Sequence, residues 1–189
     1  VRQRPLSPPL VLASASPRRR ELLGLLGLDF EVRPAEVEEI TVGDPGEAVL
    51  ANALRKARAG AGAGETVLAA DTDVCLDGRL LGKAADAEGA RSHLEVLAGR
   101  EHEVLGGVAL IRDGDELSEV VSTRVRFREL SRAEIDSYVA SEEWRDRAGA
   151  YAVQGLGASL VESVEGDLSN VIGLPIPTVG RMIASLQNR

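Results

Sequence analysis

Four short stretches of this chain carry side chains that can grip a phosphate or activate a water. The first is Ser14-Ala-Ser16-Pro17-Arg18-Arg19-Arg20. Free N–H groups and the dipole at a helix start favour an anion. Arginines in the first turn have the wrong sign for that dipole, and bidentate pairing with phosphate oxygens would resolve the conflict. The competing reading is a solvated basic turn paired with Glu21. The second stretch is Ala69-Ala-Asp71-Thr72-Asp73, an apolar strand expected to end on acids. A carboxylate there can orient a water, directly or through a divalent cation, or it can simply cap the next element. The third is Gly82-Lys83, where a lysine on a tight turn can reach a phosphate or stay in solvent. The fourth is Gly149-Ala-Tyr151-Ala-Val-Gln154-Gly155-Leu-Gly157. Its glycines permit close backbone approach, and the Gln154 amide can both donate to and accept from a base edge.

Other chemistries are excluded by what is missing. There is no G-x-x-x-x-G-K-[ST] phosphate loop and no G-x-G-x-x-G after a strand. Arg20-Glu21-Leu22 with Gly27-Leu28 imitates the end of a Nudix box, but Gly24 and Leu25 stand where its acids belong. His93 and His102 lack metal-ligand spacing. Cys75, between Val74 and Leu76, reads as a packed thiol rather than a nucleophile.

Bulk properties narrow the field further. The chain has 189 residues, enough for one ordinary core, and 44% of them are apolar. Its 22 basic and 30 acidic residues give a net charge of −8, a poor match for nucleic acid, which needs a broad basic face. Any phosphate must therefore be met by a local cluster. One cysteine cannot form an internal disulfide, and a reducing cytoplasmic setting is expected. No stretch approaches the ~20 apolar residues of a membrane span, so no membrane partner is expected.

The elements that must position these residues follow from pattern. Residues 1–9 read as a loose Pro-rich leader, and 10–189 as a single domain with two lobes. Leu10 to Ala13 reads as a buried strand. A helix over Arg18 to Leu26 follows, with Ser16 as N-cap and Pro17 in the first turn. A second strand is expected near Phe30 to Arg33. Asp44-Pro-Gly-Glu47 has capping-box spacing and opens a helix to about Ala59. Thr66 to Ala70 reads as a strand ending on Asp71, and Asp77-Gly78 marks a hairpin. A helix over 86–97, strands near 102–112 and 117–128, and a helix from Ser131 come next. A strand near 159–164 and a closing helix from Pro177 complete the chain. Strands and helices mix without strict alternation, which predicts an α/β fold with a mixed sheet.

In their order and spacing these stretches resemble the Maf family of nucleotide pyrophosphatases. The matching segments are Leu12-Ala-Ser-Ala-Ser-Pro-Arg-Arg19, Leu68-Ala-Ala-Asp-Thr72, Gly82-Lys83, Ala148-Gly-Ala-Tyr-Ala-Val-Gln-Gly155 and Asn170-Val-Ile-Gly-Leu-Pro175. The resemblance implies an elongated mixed β-sheet flanked by helices, with two lobes around a central cleft, and often a homodimer. It implies cleavage of a nucleoside triphosphate to monophosphate and pyrophosphate with a divalent metal such as Mg²⁺, Mn²⁺ or Co²⁺. Asp71 would be the catalytic acid/base. Ser14, Arg18, Arg19, Lys56 and Lys83 would hold phosphates, and Glu39 with Asp71 would face the metal. Arg18, Thr72 and Gln154 resemble the branch acting on dTTP and UTP. A nucleotide-binding regulator of septum formation, using the pocket without turnover, is the alternative that the family's older naming suggests. The chain departs from the family pattern at Ala84, where proline is usual, and at Glu38-Glu39, where Asp-Glu is common.

Overall fold

The computed structural model describes residues 9–187, so all but Pro9 of the expected leader lies outside the described residues. Its centre is a seven-stranded mixed sheet in the order β2-β1-β3-β5-β6-β7, with β4 paired to β3. Strand β1 (Leu10–Leu12) is wholly buried, and it runs parallel to β2 (Phe30–Val32) on one side and to β3 (Thr66–Leu76) on the other. Strand β3 then pairs antiparallel with β5 (Glu101–Arg112), β5 with β6 (Asp115–Phe127), and β6 with β7 (Val161–Glu165). The hairpin to β4 (Arg79–Leu80) turns at Asp77 and Gly78, with φ of 50° and 75°, the left-handed pair that matches strand twist.

Period-two alternation along β3 sorts the helices onto two faces. Val67 and Ala69 pack with Ala53 and Ala57 of helix α2 (Pro45–Gly60). Leu68 and Ala70 point the other way, into a core with Leu22 and Leu23 of helix α1 (Pro17–Gly24). Val179 and Ile183 of the closing helix α6 (Ile176–Gln187) join the same core. Farther along that face, Val74 and Leu76 belong to a separate core. It holds Leu94 of α3 (Ala87–Leu97) and Tyr138 of α4 (Arg132–Ala140), together with Phe127 and Trp144. Thr72 lies between these two cores. That is the physical content of the two lobes.

Local signals read from sequence hold where a side chain makes them. Ser16 Oγ accepts from Arg19 N, Asp44 Oδ1 accepts from Glu47 N, and Ser131 with Glu134 forms a full reciprocal box. Three expectations are corrected. Strand β3 does not end at Asp71 but continues unbroken to Leu76, because β5 stays in register beside it, Asp71 opposite Gly107 and Thr72 opposite Gly106. The stretch 155–160 forms a 3-10 helix, which delays β7 to Val161. An additional short helix, α5 (Leu168–Ile172), is capped by Asp167 and plugs Asn170 into the sheet, where its Nδ2 donates to Val104 O, Val121 O and Thr123 Oγ1.

Candidate active site

A gap in the sheet creates the cleft. On one edge of β3, β1 pairs only as far as Leu68, and β4 begins to pair only at Cys75. The intervening stretch carries Asp71, Thr72 and Asp73 into a cavity of about 590 Å³, a size that suits a small molecule. The cavity reaches both lobes. Ser14, Arg18, Arg19, Glu39, Lys56, Asp71, Thr72, Lys83 and Gln154, all nominated from sequence, line it. Asp71 is thus a mid-strand residue exposed by a missing neighbour strand, not a strand-end residue.

Alternation again decides what each side chain meets. Asp71 points to the α2 face and is buried. Its Oδ1 accepts from Lys56 Nζ at 2.7 Å, and its Oδ2 from Asn52 Nδ2 at 3.0 Å. Lys56 Nζ also donates to Glu39 Oε1, so one ammonium bridges two carboxylates. Asn52 reaches further. Its Oδ1 accepts from Ile40 N at 2.7 Å and its Nδ2 donates to Ile40 O at 3.0 Å, which pins the segment carrying Glu39.

Thr72 points to the opposite face. Its hydroxyl donates to Gly173 O and accepts from Arg19 Nη2, both at 3.2 Å. Arg19 also donates from Nε to Gly173 O at 2.9 Å and from Nη1 to Ser14 Oγ at 3.3 Å. Ser14, Thr72 and the end of α5 therefore fix this guanidinium without a salt-bridged acid among the described residues. Burial lowers its pKa, while Asp71 and Glu39 act the other way. Arg18 turns outward along the cleft and donates to Asp146 O at 3.3 Å. Partial burial and the neighbouring charges of Arg147 and Arg19 lower its pKa to about 10. Arg20, the remaining member of the arginine turn, is exposed to solvent.

Lys83 is placed by backbone. Gly82, with φ of 64°, accepts at its carbonyl from Gly149 N at 2.8 Å, and Lys83 bridges to Ala148. Asp73 ties the same turn to β3, its Oδ1 accepting from Gly82 N at 2.9 Å and Val74 N at 2.7 Å. Desolvation raises the Asp73 carboxyl to about 6 despite those two bonds. Gln154 is exposed at the rim, on a loop held from behind. Tyr138 Oη accepts from Ala152 N at 3.1 Å, and the Glu143 carboxylate accepts from Leu156 N at 3.1 Å and Gly157 N at 2.8 Å.

Sequence reasoning missed Asn52, Glu143 and Arg147, and it quoted Asp73 in the acidic stretch without giving it a role. Asn52 had a usable signal, a polar side chain on the apolar stripe of α2 beside Val49 and Ala53. The expected bystanders stay bystanders. Cys75 is a free, buried thiol pushed up by burial, and His102 is a core residue whose Nε2 lies 2.8 Å from Tyr151 Oη. Among the described residues no three His, Cys, Asp or Glu side chains cluster as a metal site, and no helix is long and apolar enough to cross a membrane.

Fold and cleft together define an α/β protein that sets a buried acid opposite arginines that form no salt bridge among the described residues. Residues 9–186 match the family model described as Maf-like protein, and the chain belongs to the Maf family. It is 52% identical to the dTTP/UTP pyrophosphatase of Anaeromyxobacter dehalogenans (strain 2CP-C), over 94% of each chain. It is 46% identical to that of Methylococcus capsulatus, over 94% of this chain and 90% of the relative. It is also 46% identical to that of Pyrococcus furiosus, over 92% and 93%.

Proposed function

We propose that the chain is a nucleoside triphosphate pyrophosphatase acting on dTTP and UTP, releasing the monophosphate and pyrophosphate. The observation that carries this reading is the charge division of the cleft. Asp71 is held by Lys56 and Asn52 on one wall, and Arg18, Arg19 and Lys83 face it without acidic partners among the described residues. The names of the relatives point the same way.

In this reading Asp71 takes the proton of a water whose oxygen attacks the α-phosphorus. The bond from that phosphorus to the bridging oxygen breaks, and pyrophosphate leaves. Arg19, Ser14 and Lys56 hold the α-phosphate region, while Arg18 and Lys83 meet the outer phosphates. Preorganised cations of this kind stabilise the charge that develops on the leaving group. Glu39 and Asp71 offer two hard oxygen donors, too few to cage a cation by themselves. Two carboxylates completed by substrate phosphates is, however, the pattern that suits Mg²⁺. A divalent cation held there would screen the triphosphate from Asp71.

Gln154, exposed at the rim, supplies donor and acceptor to the imide edge of thymine or uracil. Thr72 contributes through Arg19, since its hydroxyl is already engaged by that guanidinium and by Gly173 O. We take 10–189 as one domain, a reading supported by the single sheet to which every named strand belongs. A cytoplasmic setting fits the free thiol of Cys75.

The test is a panel of nucleotides with Mg²⁺, Mn²⁺ or Co²⁺ and the purified protein. Monophosphate and pyrophosphate should appear, fastest from dTTP and UTP. Release of orthophosphate, or no turnover of any triphosphate, overturns the reading.

A further inference from the structure

Arg147 lies outside the segments that carry the family resemblance, yet it lines the cleft beside Arg18. Arginines elsewhere mostly find acids, as Arg33 does with Glu65, Arg58 with Glu116 and Arg126 with Glu162. Arg147 is half-buried, and its one side-chain hydrogen bond among the described residues runs from Nε to the backbone Glu143 O at 3.3 Å. Its Nη groups have no partner among the described residues. Arg18 is likewise half-buried, and among the described residues its side chain donates only to the Asp146 carbonyl. On the other side of the same short segment, Lys83 bridges to Ala148. Segment 146–148 thus brings together three basic residues, Arg147 within it, Arg18 bonded to Asp146 O and Lys83 paired by backbone to Ala148, and none forms a salt bridge among the described residues. Arg18 and Arg147 are like charges drawn partly out of water and only partly offset by Asp146 and Glu21, a cost that an anion joining them would relieve.

Their order along the cleft says which anion. Arg19 bonds to Thr72, the neighbour of Asp71, whereas Arg18 bonds to the carbonyl of Asp146, the neighbour of Arg147. Arg19 therefore sits next to the buried Asp71, and Arg18 and Arg147 sit together around Asp146. A polyphosphate whose α-phosphorus lies at Asp71 extends its β- and γ-phosphates toward Arg147.

We propose that Arg147, with Arg18 and Lys83, forms the seat for the leaving pyrophosphate. This rests on the pyrophosphatase reading for its place in catalysis, but the seat itself is open to test without turnover. Inorganic pyrophosphate with Mg²⁺ is titrated calorimetrically into wild type, R147Q and R147K, and dTMP is titrated into the same three. R147Q should weaken pyrophosphate about tenfold or more and leave dTMP within about twofold, because a guanidinium–phosphate contact is charge-assisted and often bidentate. R147K should recover part of the loss, keeping the charge without the fork. R145Q should change neither ligand, since Arg145 pairs with Glu142 and stacks on Trp144 outside the cleft.

Unchanged pyrophosphate affinity in R147Q overturns the assignment, as does an equal loss for dTMP. So does wild-type protein that binds no pyrophosphate at all. Melting curves check that each variant folds. On unsubstituted protein, pyrophosphate should shield Arg147 from an arginine-directed dicarbonyl reagent, and absence of shielding also overturns the seat. If pyrophosphate binds in an Arg147-dependent way while dTTP is never cleaved, the seat stands and the pyrophosphatase reading fails.

Discussion

Lys56 Nζ lies 2.7 Å from Asp71 Oδ1, at the floor of the cleft, and the same ammonium reaches Glu39. The pairing fixes the carboxylate in the cleft, with Lys56 holding one oxygen and Asn52 the other. Replacing Asp71 by Asn keeps the shape and a hydrogen-bonding amide but removes the base. General-base removal typically loses about 10²–10⁴-fold in rate. D71N should therefore lose at least about a hundredfold in pyrophosphate release while still binding dTTP in calorimetry. A D71N enzyme with near wild-type kcat would remove Asp71 from the chemistry.

Asn52 should matter as much for assembly as for rate. It is buried, and it satisfies both polar groups of Ile40 while holding Asp71. Alanine there removes both bonds to the partly buried Ile40 backbone, each worth about 0.5–1.5 kcal/mol net. N52A should melt several degrees lower, and the loosened Glu39 segment should raise the metal concentration needed for half-maximal activity. A thermal melt and a Mg²⁺ titration of activity measure the two effects. Unchanged metal dependence would mean that Asn52 holds only the fold.

How much of this was legible beforehand depends on range along the chain. Caps such as Ser16, Asp44 and Ser131 were readable, because their partners lie three residues away. The Asp77-Gly78 turn was readable for the same reason. The end of β3 was misplaced because two acids looked like a stop signal. What continues the strand is the register with β5, decided by Gly106 and Gly107, where α5 and α2 approach so closely that a Cβ would collide with Asn170 or the Val49 backbone. Contacts of that range leave no local pattern. The site divides in the same way. Arg18, Arg19, Asp71 and Lys83 sit in short motifs, whereas Arg147 is placed by the Glu143 carbonyl and Glu143 by two backbone N–H groups, contacts that composition does not mark.

Glu143 provides a test of how Gln154 is held. Its carboxylate takes Leu156 N and Gly157 N, immediately after the residue expected to read the base, and Gly155 has a φ of 67°. E143A frees both amides, so the Gln154 loop should lose its fixed orientation while Arg18, Arg19 and Asp71 stay in place. KM for dTTP should rise about tenfold, with a much smaller change in kcat. The preference for dTTP over purine triphosphates should shrink by a similar factor. Competition between dTTP and dGTP reads this directly, and preserved discrimination in a folded E143A would show that the loop needs no such anchor.

His102 makes the fold sensitive to acid without taking part in the site. It is 3% exposed, wedged edge-on against Phe127 and Tyr151, and its Nδ1 has no partner among the described residues. Burial disfavours the imidazolium and lowers the pKa to about 4, against an ordinary value of 6.5. Either neutral tautomer leaves one buried hydrogen without an acceptor among the described residues, that of the Tyr151 hydroxyl if Nε2–H donates and that of Nδ1 if Nε2 accepts. The sign follows from linkage. The unfolded chain takes up a proton on this ring near pH 6.5, whereas the folded chain does so only near pH 4. Stability from His102 is thus complete above pH 6.5 and is lost as pH falls toward 4. At about 1.4 kcal/mol per pKa unit the loss amounts to about 3 kcal/mol. Only two histidines are present, so proton NMR can follow each ring. The His102 resonance should titrate near pH 4, and urea midpoints should drop across pH 6.5 to 4. A His102 midpoint at or above 6 would mean that the ring is hydrated in the folded protein, and the acid sensitivity would then have to come from another group.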